Sequence, residues 1–541
     1  MVTYKAPLRE YEFILREVLQ IEKELGSYPE YSEATWDMIE MISEQFGKIN
    51  EDYWLPSAKE GDEVGVIFDN GKVIVPESMK EATNVVIEAG LTQLFGHQEY
   101  GGMEFPNVIN VLSDEMSCAS NMSLGIYLGL TKGAYHCIHK HGSKEIRQLY
   151  LPKFLSGEWF GTMCLTEAHC GTDLGLIRTT SKPNGDSYLV NGQKIFISCG
   201  EHDMGDNIIH LVLARLPDAP KGVKGISLFL VPKYKVNEDG NLGESNNVNC
   251  VSIEEKMGVH GSATCVMSFE NSEGYLIGEP NEGLAAMFSM MNTERIAVGL
   301  QGLGQAEIAY QNALAYSKDR IQGRDLKGAR NPDDEADPLI VHPDVRRMLM
   351  RSKSLIDSGR MLACWTALAI DRYEKDPDPK VRKENNDLVE LMTPIIKALL
   401  TDYGVEITSE MLQIFGGHGY IKEYGMEQFY RDVRIAPIWE GTNGIQALDL
   451  AGRKMPQHMG RLLRRFFHPA LDFIENNKDH EELKEFIEPF AKALKGLQKT
   501  SMYMAQKGLS NPYEIGAAAT DYLRQFGLVA MGYMWLLMLK V

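Results

Sequence analysis

What most restricts this chain is the order in which its hydrophobic period changes along the sequence. From the start to about residue 158, segments such as 8–25 and 116–137 carry apolar residues three and four apart, the spacing of one buried helix face. Over roughly 159–283 the pattern turns to short β-type runs. Asn184-Gly185 and Asn191-Gly192 both favour hairpin turns, and 187–190 between them has strand length. Further strands are expected at 208–214 and 225–231, with 266–269 a shorter candidate. Helical spacing then returns. Ile296, Leu300, Leu303, Tyr310 and Leu314 mark one helix, and Val345, Met348, Ser352, Leu355, Gly359 and Leu362 a second, which Pro343-Asp344 suits as an opening turn. A third runs through Leu388, Leu391, Ile395 and Leu399 with an expected kink at Pro394. The polar, proline-bounded stretch 329–338 reads as a surface loop, and Ser510-Asn511-Pro512 divides a last helical region.

Helices, a β-domain and helices again make an α+β multidomain chain, and the lack of a βαβ rhythm argues against a doubly wound parallel sheet. Gly302-Leu303-Gly304 lies inside a helical pattern without a third glycine, so it is no dinucleotide fingerprint. The length of 541 residues allows about three to four domains, and 44% hydrophobic with 24% charged residues suits globular cores. A net charge of −20 opposes binding to nucleic acid or to anionic membrane surfaces. Eight scattered cysteines with no C-x-x-C pair read as reduced thiols of a cytoplasmic protein, without disulfides or structural zinc. The N-terminus lacks the apolar core of a signal peptide. The apolar stretch 528–541 falls short of the roughly 20 residues that span a bilayer, so a core or interface helix is expected there. No capping signal follows Lys540-Val541, which leaves room for further chain. His136, Cys137, His139 and His141 look ligand-like, but a helix end before Gly142, where histidines meet the helix dipole, is the expected reading, with no metal.

Three segments carry chemistry. Met163-Cys164-Leu165-Thr166-Glu167-Ala168-His169-Cys170-Gly171-Thr172-Asp173 offers backbone N–H and hydroxyl donors to an anion, or equally forms a tight turn. Lys194-Ile195-Phe196-Ile197-Ser198 puts an aromatic and a hydroxyl one alternation apart, on one face of a strand, where they could meet a planar ring or simply line a half-buried sheet. In Trp439-Glu440-Gly441-Thr442-Asn443, desolvation beside the indole would raise the Glu440 pKa and make it a competent base; the competing reading is a glutamate capping the next helix.

Together these segments resemble the acyl-CoA dehydrogenase family. Met-Cys-Leu-Thr-Glu with Gly171-Thr172-Asp173 is similar to the entrance of that family's β-domain. Gln413-Ile414-Phe415-Gly416-Gly417-His418-Gly419-Tyr420, Tyr430-Arg431-Asp432 and Trp439-Glu440-Gly441-Thr442 are similar to the close of its catalytic domain. Lys256-Met257-Gly258-Val259 matches a further stretch, and the resemblance spans roughly 90–455. Residues 1–35 and the extra C-terminal helices look like the longer bacterial branch, which includes 3-methylmercaptopropionyl-CoA dehydrogenases and related fatty acyl-CoA dehydrogenases. The implied layout is an extension over 1–35, a helical domain over 36–158, an antiparallel β-domain over 159–283, a helical catalytic domain over 284–455 and an extra helical domain over 456–541.

The resemblance implies an FAD cofactor, an acyl-CoA substrate (fatty acyl or 3-methylmercaptopropionyl), an electron-transfer flavoprotein as acceptor, and a homodimer or homotetramer. Glu440 is implied as the base that removes the α-proton while a hydride leaves the β-carbon for flavin N5. Met163, Leu165, Thr166, Thr172, Phe196 and Ser198 are implied to contact the flavin. Arg320, Gln322, Gln413, Gly417 and Thr442 are implied to meet FAD across a subunit interface. Thr172, Asn292, Arg295 and Gly441 are implied on the substrate side. Met163, Phe196, Ser198 and Gly444 depart from the commoner family residues, which bears on flavin potential, oxygen reactivity and pocket size. An acyl-CoA oxidase, a non-catalytic DNA-binding relative and a flavin enzyme for nitro or amine compounds are the alternatives; the acidic charge and the glutamate at position 440 argue against the last two.

Overall fold

The computed structural model describes residues 2–541, except the side chains of Asn292 and Thr293. The chain divides into two compact units: Ile49–Phe105 with Ser120–Glu294, and Met1–Lys48 with Pro106–Ala119 and Arg295–Val541.

The first unit is built on a β-sheet. Its long strands are β3 (Trp159–Cys164), β4 (Thr180–Asn184), β5 (Ser187–Ser198), β6 (Asn207–Ala214), β7 (Ser227–Pro232), β10 (Val248–Ile253) and β11 (Thr264–Ile277). Their order is β3-β6-β7-β11-β5-β4, with β10 also on β11. Every pairing is antiparallel except β3 on β6, which is parallel. β6 and β7 are buried along their whole length; β7 reads as a continuous apolar run (Leu228-Phe229-Leu230-Val231), as doubly covered strands do, while β6 holds a buried His210 among its apolar residues. Cys164, Val190, Val212, Phe229, Cys265 and Phe269 share the resulting core. Two short hairpins complete the strands: β1 (Ile67–Asp69) with β2 (Lys72–Ile74), and β8 (Tyr234–Val236) with β9 (Leu242–Ser245).

Of the two turn readings, one needs correction. Asn184-Gly185 does join β4 to β5, with Gly185 at φ +63. Asn191-Gly192, however, lies in mid-strand, where Asn191 pairs with Glu270 and Gly192 with Phe269. Glycine is needed there because a Cβ would sit 2.5 Å from the Thr179 hydroxyl. Asn70-Gly71 (φ +49 and +85) turns the β1–β2 hairpin, a signal of the same kind inside a region read as helical. The Asn107–His141 helix ends at the expected histidines, but a favourable meeting with the helix dipole requires them to carry charge. Burial instead pushes His136 down to about 3 and His139 to about 4, so both are neutral near pH 7.

The second unit is helical. The Gly283–Asp319 helix reaches it at Arg295, and the Pro343–Lys375 and Pro379–Ile414 helices pack on each other. Pro343 opens its helix at the first turn, and the Pro379–Ile414 helix continues through Pro394. Gly302 lets helices touch: a Cβ there would lie 2.3 Å from the Leu400 carbonyl oxygen. The Lys484–Ser510 and Pro512–Leu539 helices form a hairpin whose break is capped by Asn511 Oδ1, which accepts from Tyr513 N–H at 3.2 Å. The apolar C-terminal stretch buries Met531, Met534 and Leu536 against this unit, and Trp535 Nε1 donates to the Ser354 carbonyl at 3.1 Å. No helix among the described residues is long and apolar enough to cross a membrane. All eight cysteines are buried free thiols.

Candidate active site

In the helical unit, the chain leaves the Met426–Val433 helix, turns through Pro437, and reaches Glu440 and Gly441 in the left-handed region (φ +54 and +82). A glutamate there costs about 1 kcal/mol or more and persists only where its surroundings over-determine it. Two contacts do so. Gln446 Nε2 donates to the carbonyls of Glu440 (3.2 Å) and Gly441 (3.1 Å), and Asn443 N–H donates to the Pro437 carbonyl (3.0 Å). The cap of the following Asn443–Leu448 helix is Thr442, whose Oγ1 accepts from Ile445 N–H at 3.4 Å. Glu440 is therefore not the helix cap, and the capping alternative falls.

The Glu440 Oε2 atom is buried without a hydrogen-bond partner. Burial lifts its carboxyl to about 7, against the pull of Arg295 and Lys397, which face it from the Gly283–Asp319 and Pro379–Ile414 helices. A carboxylate poised near neutrality, desolvated and with an unsatisfied oxygen, has the chemistry of a proton acceptor. Arg295 is itself buried, which pulls its guanidinium down while Glu440 pulls it up. Lys397 has no exposed surface and donates from Nζ to Asn443 Oδ1 at 2.8 Å. Burial brings its ammonium down to about 8. Lys397 belongs to none of the sequence motifs, although a lysine inside Ile395-Ile396-Lys397-Ala398-Leu399-Leu400 is a visible anomaly in an apolar run.

Other candidates lie elsewhere on this unit. Arg320, Gln322, Gln413, Gly417 and Thr442 are exposed. The segments of the first four meet where Tyr316 stacks on Phe415 (4.0 Å between ring centres) and its hydroxyl bonds His418 Nδ1 (2.8 Å). Gly416, Gly417 and Gly444 have open space where a Cβ would stand. Asn292 was expected on the substrate side, but its side chain lies outside the described residues.

In the β unit, the 165–173 turn is pinned from beneath by Lys194, which is buried. Its Nζ donates to the Leu165 carbonyl (3.0 Å) and to Glu167 Oε1 (2.9 Å). Glu167 also accepts from the N–H groups of Arg178 (2.7 Å) and Thr179 (3.0 Å) and from the Thr179 hydroxyl (2.6 Å). Because the peptide is trans, a Leu165 carbonyl aimed at buried Lys194 turns the Thr166 N–H the opposite way. Met163 is half-buried in β3, and Thr172 is exposed. Phe196 sits at φ +57 in a bulge where two residues of β5 oppose one of β11, and the residue is 59% exposed. The regular alternation assumed between Phe196 and Ser198 is therefore interrupted; Ile197 between them is buried and Ser198 half-buried.

Known proteins match most of the chain. Profiles of the acyl-CoA dehydrogenase N-terminal domain match residues 38–158, of its middle domain 162–272 and of its C-terminal domain 281–455, and an acetyl-CoA dehydrogenase C-terminal-like profile matches 466–541. The 3-methylmercaptopropionyl-CoA dehydrogenase of Ruegeria pomeroyi is 43% identical over 86% of this chain and 78% of its own. The broad-specificity linear acyl-CoA dehydrogenase FadE5 of Mycobacterium tuberculosis is 32% identical over 99% and 90%. Among solved structures, Caenorhabditis elegans ACDH-11 in complex with C11-CoA aligns with a TM-score of 0.83 at 20% identity, covering 99% of this chain and 88% of that one. An acyl-CoA dehydrogenase complexed with FAD from Bacillus anthracis aligns at 0.76 and 21%, covering 94% and 82%. With this identity over most of each relative's length and family domains matched in order from residue 38 to 541, the chain is an oxidoreductase of the acyl-CoA dehydrogenase family.

Proposed function

We propose that the protein desaturates an acyl-CoA thioester between its α and β carbons, with FAD as cofactor and Glu440 as the base. The observation that carries the reading is the buried, unpartnered Oε2 of Glu440 on a strained turn, with a carboxyl raised by burial to about 7. Burial makes the carboxylate basic enough to take an α-proton, and Arg295 and Lys397 keep it from being protonated permanently.

The residues present fit FAD. Phe196 offers an exposed aromatic ring, Ser198 a half-buried hydroxyl two residues on, and Thr166 an N–H turned away from Lys194, while Met163, Leu165 and Thr172 flank that turn. The open glycines at 416 and 417, with exposed Arg320, Gln322, Gln413 and Thr442, suit contact with the cofactor of a neighbouring subunit, which implies a homodimer or homotetramer. Bound FAD would supply the hydride acceptor at N5. This chain's own part is to seat the thioester, exclude water and remove the proton at Glu440. Gly441, Arg295 and Asn292 are the residues we assign to the substrate side, and an electron-transfer flavoprotein is the proposed electron acceptor.

The substrate is a fatty acyl-CoA or 3-methylmercaptopropionyl-CoA; the 43% identity to the Ruegeria enzyme favours including the sulfur-containing thioester. Anaerobic mixing of the FAD-loaded protein with straight-chain acyl-CoAs of increasing length, and with 3-methylmercaptopropionyl-CoA, tests this directly. Bleaching of the flavin by at least one thioester is expected, and no bleaching by any of them would overturn the assignment. Rapid reoxidation of the bleached flavin by oxygen would make it an oxidase instead.

A further inference from the structure

We propose that Lys397 is the positioning residue of this site: its ammonium, seated on Asn443, holds Glu440 ionised and ties down the turn that carries it. The inference rests on the reading of Glu440 as the base. An ammonium with no exposed surface is costly unless charge and hydrogen bonds compensate it. Here the compensation runs through one side chain. Asn443 Oδ1 accepts from Lys397 Nζ at 2.8 Å, while Asn443 Nδ2 donates to Asp402 Oδ1 at 2.7 Å and to the Ala398 carbonyl at 3.1 Å. Asn443, three positions past Glu440, is thus fastened to one stretch of the Pro379–Ile414 helix, where Thr401 joins Ala398 and Asp402 and Lys397 supplies the one cationic contact.

The charge balance around Glu440 points the same way. Arg295 faces it from the Gly283–Asp319 helix and Lys397 from the Pro379–Ile414 helix. Asp402 is held by Asn443 and faces Arg524 and Glu406 as well as Lys397. Asp449, which follows the Asn443–Leu448 helix, pairs with Arg453 at 2.5 Å; both also face Arg295. The two cations that act on Glu440 are therefore Arg295 and Lys397, and only the lysine can lose its proton in the working range. Removing its charge leaves Arg295 alone to oppose burial, so Glu440 should hold its proton to higher pH.

The test uses the full-length, FAD-loaded protein as wild type, Lys397→Met, Lys397→Gln and Glu440→Gln. Lys397→Gln keeps a donor for Asn443 but removes the charge, which separates charge from hydrogen bonding. The first readout is the infrared band of the protonated carboxyl, identified by its absence in Glu440→Gln and titrated with pH in the oxidised protein without substrate. The second is the rate of flavin bleaching by an acyl-CoA against pH. Both neutral variants should move the Glu440 midpoint up by about one unit. Bleaching at pH 6 should be about tenfold slower than wild type, with the deficit narrowing as pH rises. An unmoved midpoint with rates lowered equally at every pH would reduce Lys397 to a structural residue and overturn the proposal. If Glu440→Gln bleaches normally, the base assignment is what fails. If Glu440→Gln is dead and the midpoint in the lysine variants stays put, the Lys397 proposal alone fails.

Discussion

Replacing Arg360 with methionine should cost this protein more than almost any other single change. Arg360 and Glu115 have no exposed side-chain surface, and Glu307 is nearly as buried. Arg360 Nε donates to both oxygens of Glu115 (3.1 and 2.9 Å), and Nη2 donates to Glu307 Oε2 (2.8 Å). The Tyr11 hydroxyl donates to the same Glu115 carboxylate, so the N-terminal extension is clasped into the cluster. Methionine fills much of the volume but leaves two buried carboxylates without their cation, a loss of about 3–5 kcal/mol, or roughly two to four decades in the unfolding equilibrium. Burial already raises the Glu115 carboxyl against the pull of Arg360, and losing the arginine raises it further. A carboxyl whose folded pKa lies above its unfolded value binds its proton more readily when folded, so stability falls as pH rises between the two values. The deficit of Arg360→Met should therefore be larger at pH 7.5 than at pH 5.5. Adding Glu115→Gln should recover part of it. Chemical denaturation followed by circular dichroism reads these differences. A deficit below about 1 kcal/mol at pH 7.5, or one that grows on acidification, would refute the reasoning.

Glu167→Gln should destabilise the β unit by about 2 kcal/mol near neutral pH, measured by thermal melting. Burial pushes the Glu167 carboxyl up, but Lys194, Thr179 and the Arg178 N–H together hold it at about 2, so its contribution is present above the ordinary carboxyl range and fades as pH falls towards 2. The gap between wild type and variant should narrow from pH 6 to pH 3, and a constant gap would contradict the account. Gly302→Ala should lower stability by about 1–3 kcal/mol, because its new methyl meets a helix backbone at 2.3 Å and not a movable side chain. A variant that melts with wild type would show that the helices have room to part.

Features that depend on chain neighbours were legible in the sequence. The Asn184-Gly185 turn, the Pro343 helix start and the Asn511-Pro512 break need only local chemistry, and all three stand. Asn191-Gly192 has the same local signal, yet strand pairing on both sides and the close approach of Thr179 override it. The bulge at Phe196 depends on register with β11, which no local pattern encodes. The glycines at 302 and 304 read correctly as no nucleotide fingerprint, but their use in close packing needs the partner helices. At the candidate site, the neighbours of Glu440 alone left open a role as helix cap, which Thr442 fills; family resemblance is what pointed to a base there. Lys397 is not legible locally because its partner is Asn443, 46 positions away in the chain.

The central claim is that Glu440 takes the proton, and substitution by glutamine tests it most directly. Glu440→Gln keeps the shape and leaves the Gln446 contacts to the backbone intact. Purified with FAD bound and mixed anaerobically with an acyl-CoA that bleaches the wild-type flavin, the variant should bind the thioester and stay yellow, with bleaching slowed by at least about a thousandfold. Bleaching at a rate close to wild type would contradict the account and move the base to another residue.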